Sequence, residues 1–357
     1  IYQCDWSSDV CSSDLLGLRT LGVPKVWGGP EVDFTTQAIV MAELARGDSA
    51  IAKTFSQCWK WCHLIMDRCT PEQQERYLKP FMADDAFVLG GGITEPNAGS
   101  DNRLPPVDAP KSGLRLSGVP DGDGWRLNGE KCFIANANIA KLIFVFTRTN
   151  AEVAVRQGTT IFAVQMPHEG VRVGKVFNKD GWRFYQNAEL IFENARVAQS
   201  DMMGKLNGAM SHHGGKNAKF AELEYSANAV GVCDAAVEMA MQHTQARWDD
   251  NRYFVDNQSV QLKLSEMHML TEALRSFVMR VAMEGKSKSQ GYANNAILLQ
   301  NFATDTVQRV TKINLDIHAS AGVHMMDAGA DKLARDAVIW THLAGDSVQR
   351  MKAVRKH

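Results

Sequence analysis

Ile93-Thr-Glu-Pro-Asn-Ala-Gly-Ser-Asp101 is the stretch that decides the fold of this chain. Gly99 allows close approach of the backbone to a ligand, while Thr94 and Ser100 offer hydroxyl groups to it. A tight surface turn after a strand has a similar composition. The loop alone therefore leaves two interpretations open, a ligand-binding loop and a plain turn.

Downstream of this loop the pattern is that of a β domain. Short apolar runs, such as Leu142 to Thr147 and Thr160 to Gln165, alternate with turn signals, such as Asp121-Gly-Asp-Gly124 and Asn128-Gly129. We expect a largely antiparallel β domain over residues 87–203.

Helical patterns flank the β domain on both sides. Ala38 to Ala45 has apolar residues at helical spacing, and Thr70-Pro71 predicts a capped helix start. Three long helices are predicted after Gly204, from Tyr225 to Arg247, Gln258 to Met283 and Tyr292 to Leu315. The expected fold class is α+β, with a partial N-terminal α domain (16–86), the middle β domain and a C-terminal helical bundle (204–357).

Composition narrows the function classes. Lysine plus arginine (39) nearly balances aspartate plus glutamate (40) over 357 residues, so no global charge favours nucleic acid or an anionic membrane. No apolar run reaches the length of a membrane span and no signal peptide is evident, so we expect a cytoplasmic protein. The cysteines show no metal-ligand spacing, and we expect no bound metal.

Residues 1–15 need separate treatment. Asp5 to Leu15 can be back-translated into a common sequencing-library adapter. We therefore expect a non-native segment here, with the native N-terminus missing.

Three segments, in order, resemble the acyl-CoA dehydrogenase family. They are the loop Ile93 to Asp101, the hairpin Asp123 to Asn136, and the segment from Asp180 to Val197. Leu21 to Pro24 and Glu43 to Arg46 add upstream matches, so the similarity covers nearly everything after the adapter-like residues. The resemblance implies FAD as cofactor, an acyl-CoA substrate, an electron-transferring flavoprotein as partner, a role in fatty acid metabolism, and a homotetramer or homodimer.

The resemblance also implies site residues. Those at cofactor-binding positions are Ile93, Thr94, Ser100, Phe133, Ala135, Arg247, Gln258 and Ser320, and those at substrate-binding positions are Ser100 and Arg183. Several of them depart from the family pattern. Phe133-Ile-Ala135 replaces the family's Trp-Ile-Thr. Asp249-Asp-Asn251 replaces the Gln-Phe-Gly that, in the family, usually follows the arginine matched by Arg247.

The family's catalytic glutamate is absent from its usual place. Arg335-Asp-Ala337 precedes that place, but Ala344 lies at or beside the glutamate's position. The alternative bases are Glu222 and Glu224, near the position that some relatives use, and the shorter Asp346.

Three functions remain open from the sequence. The leading prediction is FAD-dependent α,β-dehydrogenation of an acyl-CoA, with electrons passed to an electron-transferring flavoprotein. A flavin-dependent monooxygenase on the same fold needs no α-proton base, and His212, His213 and His342 are its candidate acid groups. The third is a non-catalytic homologue that has lost its base.

Overall fold

The computed structural model describes residues 16–99, 113–210, 220–249, 251–287, 289, 291–324, 329–343, 348, 350, 351 and 354. Within them, the helices are α1 (Phe34–Gly47), α2 (Ser49–Arg68), α3 (Pro71–Ala83), α4 (Phe220–Ala246), α5 (Gln258–Ser287), α6 (Tyr292–Val323) and α7 (Ala330–Val338). The strands are β1 (Val88–Gly92), β2 (Ser117–Asp121), β3 (Gly124–Ala135), β4 (Ala140–Arg148), β5 (Thr159–Gln165), β6 (Val171–Val176), β7 (Asn187–Ala198), β8 (Met202–Met203), β9 (Trp248–Asp249) and β10 (Arg252–Tyr253).

These elements form two compact units. The first contains β1 to β8, α3 and residues 54–68 of α2. The second contains α1, the first residues of α2, the segment 179–184, and α4 to α7. The order of helical, β and helical elements along the chain confirms the predicted fold class.

The first unit is built on one eight-stranded sheet. Its strand order is β6-β7-β3-β2-β4-β5-β8, and β1 pairs with β4. Neighbouring strands run antiparallel except that β4 pairs in parallel with β1 and, at one position, with β2. Side chains from β3, β4, β5 and β7 form the core, because alternate residues of each strand face inward.

Capping fixes the starts of two N-terminal helices. Thr70 and Gln73 form a capping box at the start of α3, which confirms the predicted capping threonine. Asp33 caps α1, its Oδ1 accepting from the backbone N of Thr36 at 2.9 Å. The Lys286 ammonium and this cap hold the pKa of Asp33 at about 2.

The helices of the second unit are longer than their sequence patterns predicted. The sequence pattern placed the start of α4 at Tyr225, because Glu222 and Glu224 interrupt the run of apolar residues. In the structure α4 begins at Phe220, and both glutamates are buried. Helix α6 continues past Leu315 across a kink at Ala319. Within the described residues, no helix combines the length and apolarity that crossing a membrane requires.

Ala319 is strained. Its backbone has φ 50° and ψ −130°, a sparsely populated conformation that costs about 1 to 3 kcal/mol for a residue with a Cβ atom. The segment Asp316-Ile-His-Ala-Ser320 resembles a Gln-Ile-His-Gly-Gly type of run in the acyl-CoA dehydrogenase family, and Ala319 stands at the first glycine of that run.

Replacing Ala319 with glycine should raise the free energy of unfolding by about 1 kcal/mol, because glycine adopts positive φ without steric strain. Ala273→Gly, at an exposed position inside α5, is the matched control and should lower it by about 1 kcal/mol. Urea unfolding of the holoprotein measures both values. Equal destabilisation by the two substitutions would show that Ala319 is not strained.

Candidate active site

The loop that follows β1 is held in place by the carboxylate of Glu95. Its Oε1 lies 2.7 Å from Nζ of Lys131 and 2.9 Å from the backbone N of Leu116, and its Oε2 lies 2.6 Å from the backbone N of Arg115. The Lys131 and Glu95 side chains are 0% and 5% exposed. Because an unpaired buried charge is strongly unfavourable, this ion pair fastens the loop to β3.

Ile93 and Thr94 are positioned by the same strand. Nζ of Lys131 donates to the carbonyl oxygen of Ile93 at 3.2 Å, and the backbone N of Cys132 donates to that of Thr94 at 3.0 Å. Burial lowers the pKa of Lys131 to about 8, although the Glu95 charge acts in the opposite direction. Both predicted cofactor contacts therefore lie against β3.

Phe133 projects from a bulge in β3. The register between β3 and β7 shifts between Lys131 and Ile134, and Phe133 adopts φ 55°. Its side chain is 58% exposed. Ala135, at the end of β3, pairs with Asn187, and its methyl group lacks the donor that threonine would supply. The bulge thus presents an aromatic side chain to solvent beside the loop.

The remaining predicted cofactor contacts lie in the second unit. Arg247 follows α4 and is exposed, with its guanidinium carbon 4.6 Å from the centroid of the Phe254 ring. Gln258 is the first residue of α5 and is exposed. Ser320 is also exposed, next to the strained Ala319.

Two histidines pack together near Arg247 in the second unit. The ring centroids of His243 and His318 are 4.2 Å apart, and Nδ1 of His318 lies 2.9 Å from the carbonyl oxygen of Asn314. Burial, His318 and Arg247 all lower the pKa of His243. The neutral form of the His243 imidazole is therefore favoured.

The two candidate bases on α4 differ in their surroundings. Glu224 is enclosed, and its Oε1 lies 2.5 Å from Nζ of Lys53, with both side chains 0% exposed. Nζ of Lys53 also lies 4.1 Å from the centroid of the Tyr225 ring. Glu222 is 6% exposed. The pKa of Tyr292 is raised, first by burial of the Tyr292 hydroxyl and second by the charge of Glu222.

Arg183, predicted to bind substrate, is exposed, and its Nε donates to the carbonyl oxygen of Lys179 at 3.2 Å. Asp336, of the Arg335-Asp-Ala337 motif, is buried and accepts from the backbone N of Trp182 at 2.7 Å and from Oγ of Ser49 at 2.9 Å. It therefore ties segments of the second unit together. Ser100, Ala344 and Asp346 lie outside the described residues, as do His212, His213 and Asp250.

Sequence reasoning missed Lys131 and Lys53. Lys131 lies in the hairpin from Asp123 to Asn136, and its inward position on a strand is a signal that could have identified it. No local signal marks Lys53, because its partner Glu224 is 171 residues away.

The residues present fit FAD. An exposed aromatic side chain at Phe133 suits a planar ring, and loop amides and hydroxyls suit the ring's polar edge. The exposed guanidinium of Arg247 suits a pyrophosphate, since it offers several donors in a rigid fork. In the described residues no group of three or more histidine, cysteine or carboxylate side chains could hold a metal ion.

Comparisons with known proteins agree with this chemistry. Models of the acyl-CoA dehydrogenase N-terminal, middle and C-terminal domains match residues 13–85, 90–195 and 220–356. Cyclohex-1-ene-1-carbonyl-CoA dehydrogenase of Geobacter metallireducens is 29% identical over 90% of this chain and 82% of its own length.

Two solved structures share the fold closely. Butyryl-CoA dehydrogenase of Megasphaera elsdenii has a TM-score of 0.87 and 26% identity, covering 97% of this chain and 88% of its own. A chain from the study of the electron transferring flavoprotein of Acidaminococcus fermentans has a TM-score of 0.89 and 27% identity, covering 98% and 90%. The predicted resemblance and cofactor are confirmed: the chain belongs to the acyl-CoA dehydrogenase family, and is an FAD-dependent flavoprotein oxidoreductase of the class that acts on CH–CH bonds.

Proposed function

We propose that this protein catalyses α,β-dehydrogenation of an acyl-CoA thioester and passes the electrons to an electron-transferring flavoprotein. The observation that carries the proposal is a buried carboxylate, Glu222, in the first turn of α4. Removal of an α-proton needs such a base, and relatives named as acyl-CoA dehydrogenases support the substrate class.

In this proposal the cofactor contacts divide by chemistry. Ile93, Thr94, Phe133 and Ala135, with Ser100, contact the flavin ring of FAD. Arg247 binds the pyrophosphate, while Gln258 and Ser320 contact the rest of the dinucleotide. Ser100 and Arg183 bind the acyl-CoA.

Glu222 is a better base than Glu224. Taking up a proton on Glu224 would remove the counter-charge of Lys53, and breaking a buried ion pair by removing one partner costs about 3 to 5 kcal/mol. The Glu224 side chain is also completely enclosed, which leaves a substrate carbon no approach. Glu222 is 6% exposed and therefore less enclosed than Glu224, and Asp346 is the remaining candidate.

The proposed reaction balances as follows. Glu222 takes the α-proton of the thioester, and a hydride equivalent leaves the β-carbon, so that an α,β-double bond forms. Acceptance of that hydride is the chemistry that bound FAD supplies. The chain's own residues hold the ring and the thioester in register and accept the proton.

Two observations support the proposed electron acceptor and the proposed oligomeric state. The structural neighbour from the study of an electron transferring flavoprotein supports that protein as electron acceptor. The exposed Arg247, at the position from which the family reaches a neighbouring subunit's cofactor, supports a homodimer or homotetramer. The monooxygenase alternative gains nothing from His342, which is exposed.

Anaerobic mixing of the yellow holoprotein with a panel of acyl-CoA thioesters should bleach the flavin absorbance with at least one of them, because dehydrogenation reduces the flavin. Electron-transferring flavoprotein should then restore the colour faster than oxygen does. Persistent colour with every saturated thioester would reject dehydrogenation, and rapid oxygen-dependent turnover on a non-thioester substrate would indicate a monooxygenase.

Glu222→Gln should slow bleaching by about 10² to 10⁴-fold with FAD retained, because a general base contributes that much. The matched control is the double variant Lys53→Met/Glu224→Gln, which replaces the buried ion pair with neutral groups and should bleach within 10-fold of wild type, since neutral replacements of buried pairs are tolerated. Stopped-flow absorbance measures both. Wild-type rates for Glu222→Gln, with loss of bleaching in the double variant or in Asp346→Asn, would assign the base elsewhere.

A further inference from the structure

A second aromatic side chain lies against Phe133. The ring centroids of Phe133 and Phe177 are 4.4 Å apart, with an interplanar angle of 34°. Phe177 directly follows β6 in sequence. Nζ of Lys175 lies 5.6 Å from the centroid of the Phe177 ring, close enough for a weak cation–π contact. The exposed Phe133 ring is therefore not free to sample its rotamers.

One residue, Asn187, ties both phenylalanines to the sheet. Its side-chain Nδ2 donates to the carbonyl oxygen of Phe133 at 2.8 Å, and its own carbonyl oxygen accepts from the backbone N of Phe177 at 2.9 Å. Asn187 is the first residue of β7. The bulge at Phe133 and the start of the segment after β6 are thus held at a fixed separation.

This arrangement is unfavourable unless something covers it. Phe133 combines φ 55° with a side chain that is 58% exposed. Strained backbone conformations persist only where the surroundings impose them, and they cluster at ligand sites. A stacked pair that leaves a large aromatic area open suits a planar heteroaromatic ring, because offset stacking favours such faces.

We propose that Phe177 is a positioning residue, which, with Asn187, holds Phe133 as the aromatic cover of the FAD ring. The proposal rests on the assignment of Phe133 to the cofactor under the proposed function. Phe177 acts through Phe133: it fixes the ring before FAD binds, and binding then loses less side-chain freedom.

The test is a double-mutant cycle on the holoprotein. Phe177→Ala should weaken FAD binding by about 2- to 10-fold, the range expected for losing an aromatic pair, and should change the visible circular dichroism of the bound flavin. Phe177→Tyr should restore both values, because it keeps the ring. Dissociation is followed by the fluorescence of released FAD after dilution.

Val173→Ala, at another exposed position on β6, is the control and should leave FAD affinity unchanged. In a Phe133→Ala background, adding Phe177→Ala should have no further effect, because the residue through which Phe177 acts is gone. Should Phe177→Ala release its FAD on purification, Phe177→Leu, which keeps bulk without an aromatic face, gives the same comparison.

Three results would overturn the inference: an effect of Phe177→Ala no larger than that of Val173→Ala, effects of Phe133→Ala and Phe177→Ala that add, or a failure of tyrosine to restore binding. Unchanged FAD affinity in Phe133→Ala alone would instead reject the assignment of Phe133 to the cofactor. The two failures are therefore distinguishable, and neither depends on which thioester bleaches the flavin.

Discussion

The buried ion pair between Lys131 and Glu95 is the interaction on which the candidate cofactor site of the first unit depends. It joins β3 to the loop after β1, in which Glu95 and Ala98 also form a β-bridge, and both charged side chains are buried. Removing either partner would leave an uncompensated charge, at a cost of about 3 to 5 kcal/mol. The carbonyl oxygen of Ile93 accepts from Nζ of the same Lys131, and that of Thr94 accepts from the backbone N of the next residue, Cys132.

Local sequence patterns predicted the order of helices and strands because periodicity, caps and turn residues are local properties. The Thr70 cap and the runs that became β4 and β5 are examples. The bulge at Phe133 was not predictable in this way. It depends on the register between β3 and β7, which is set by partners about 50 residues apart, and the stacking of Phe133 on Phe177 depends on it in turn.

The carboxylates of α4 show the same limit at the candidate catalytic position. Glu222 and Glu224 are equivalent in the sequence, two acidic residues in the first turn or so of a helix. The structure distinguishes them by burial and by Lys53, which comes from α2 and forms a fully buried ion pair with Glu224. The environment of Glu224 is thus set by a cation 171 residues away along the chain, and no spacing rule reveals it.

Ala135 and Ala319 are two positions at which this chain departs from the family pattern. Ala135 lacks a hydroxyl donor but fits its strand, whereas Ala319 occupies a backbone conformation that glycine would adopt more easily. Since local preference does not favour φ 50° at an alanine, tertiary contacts must impose it. The strained backbone at Ala319 is therefore a property of the packed framework of the second unit and not of the local sequence.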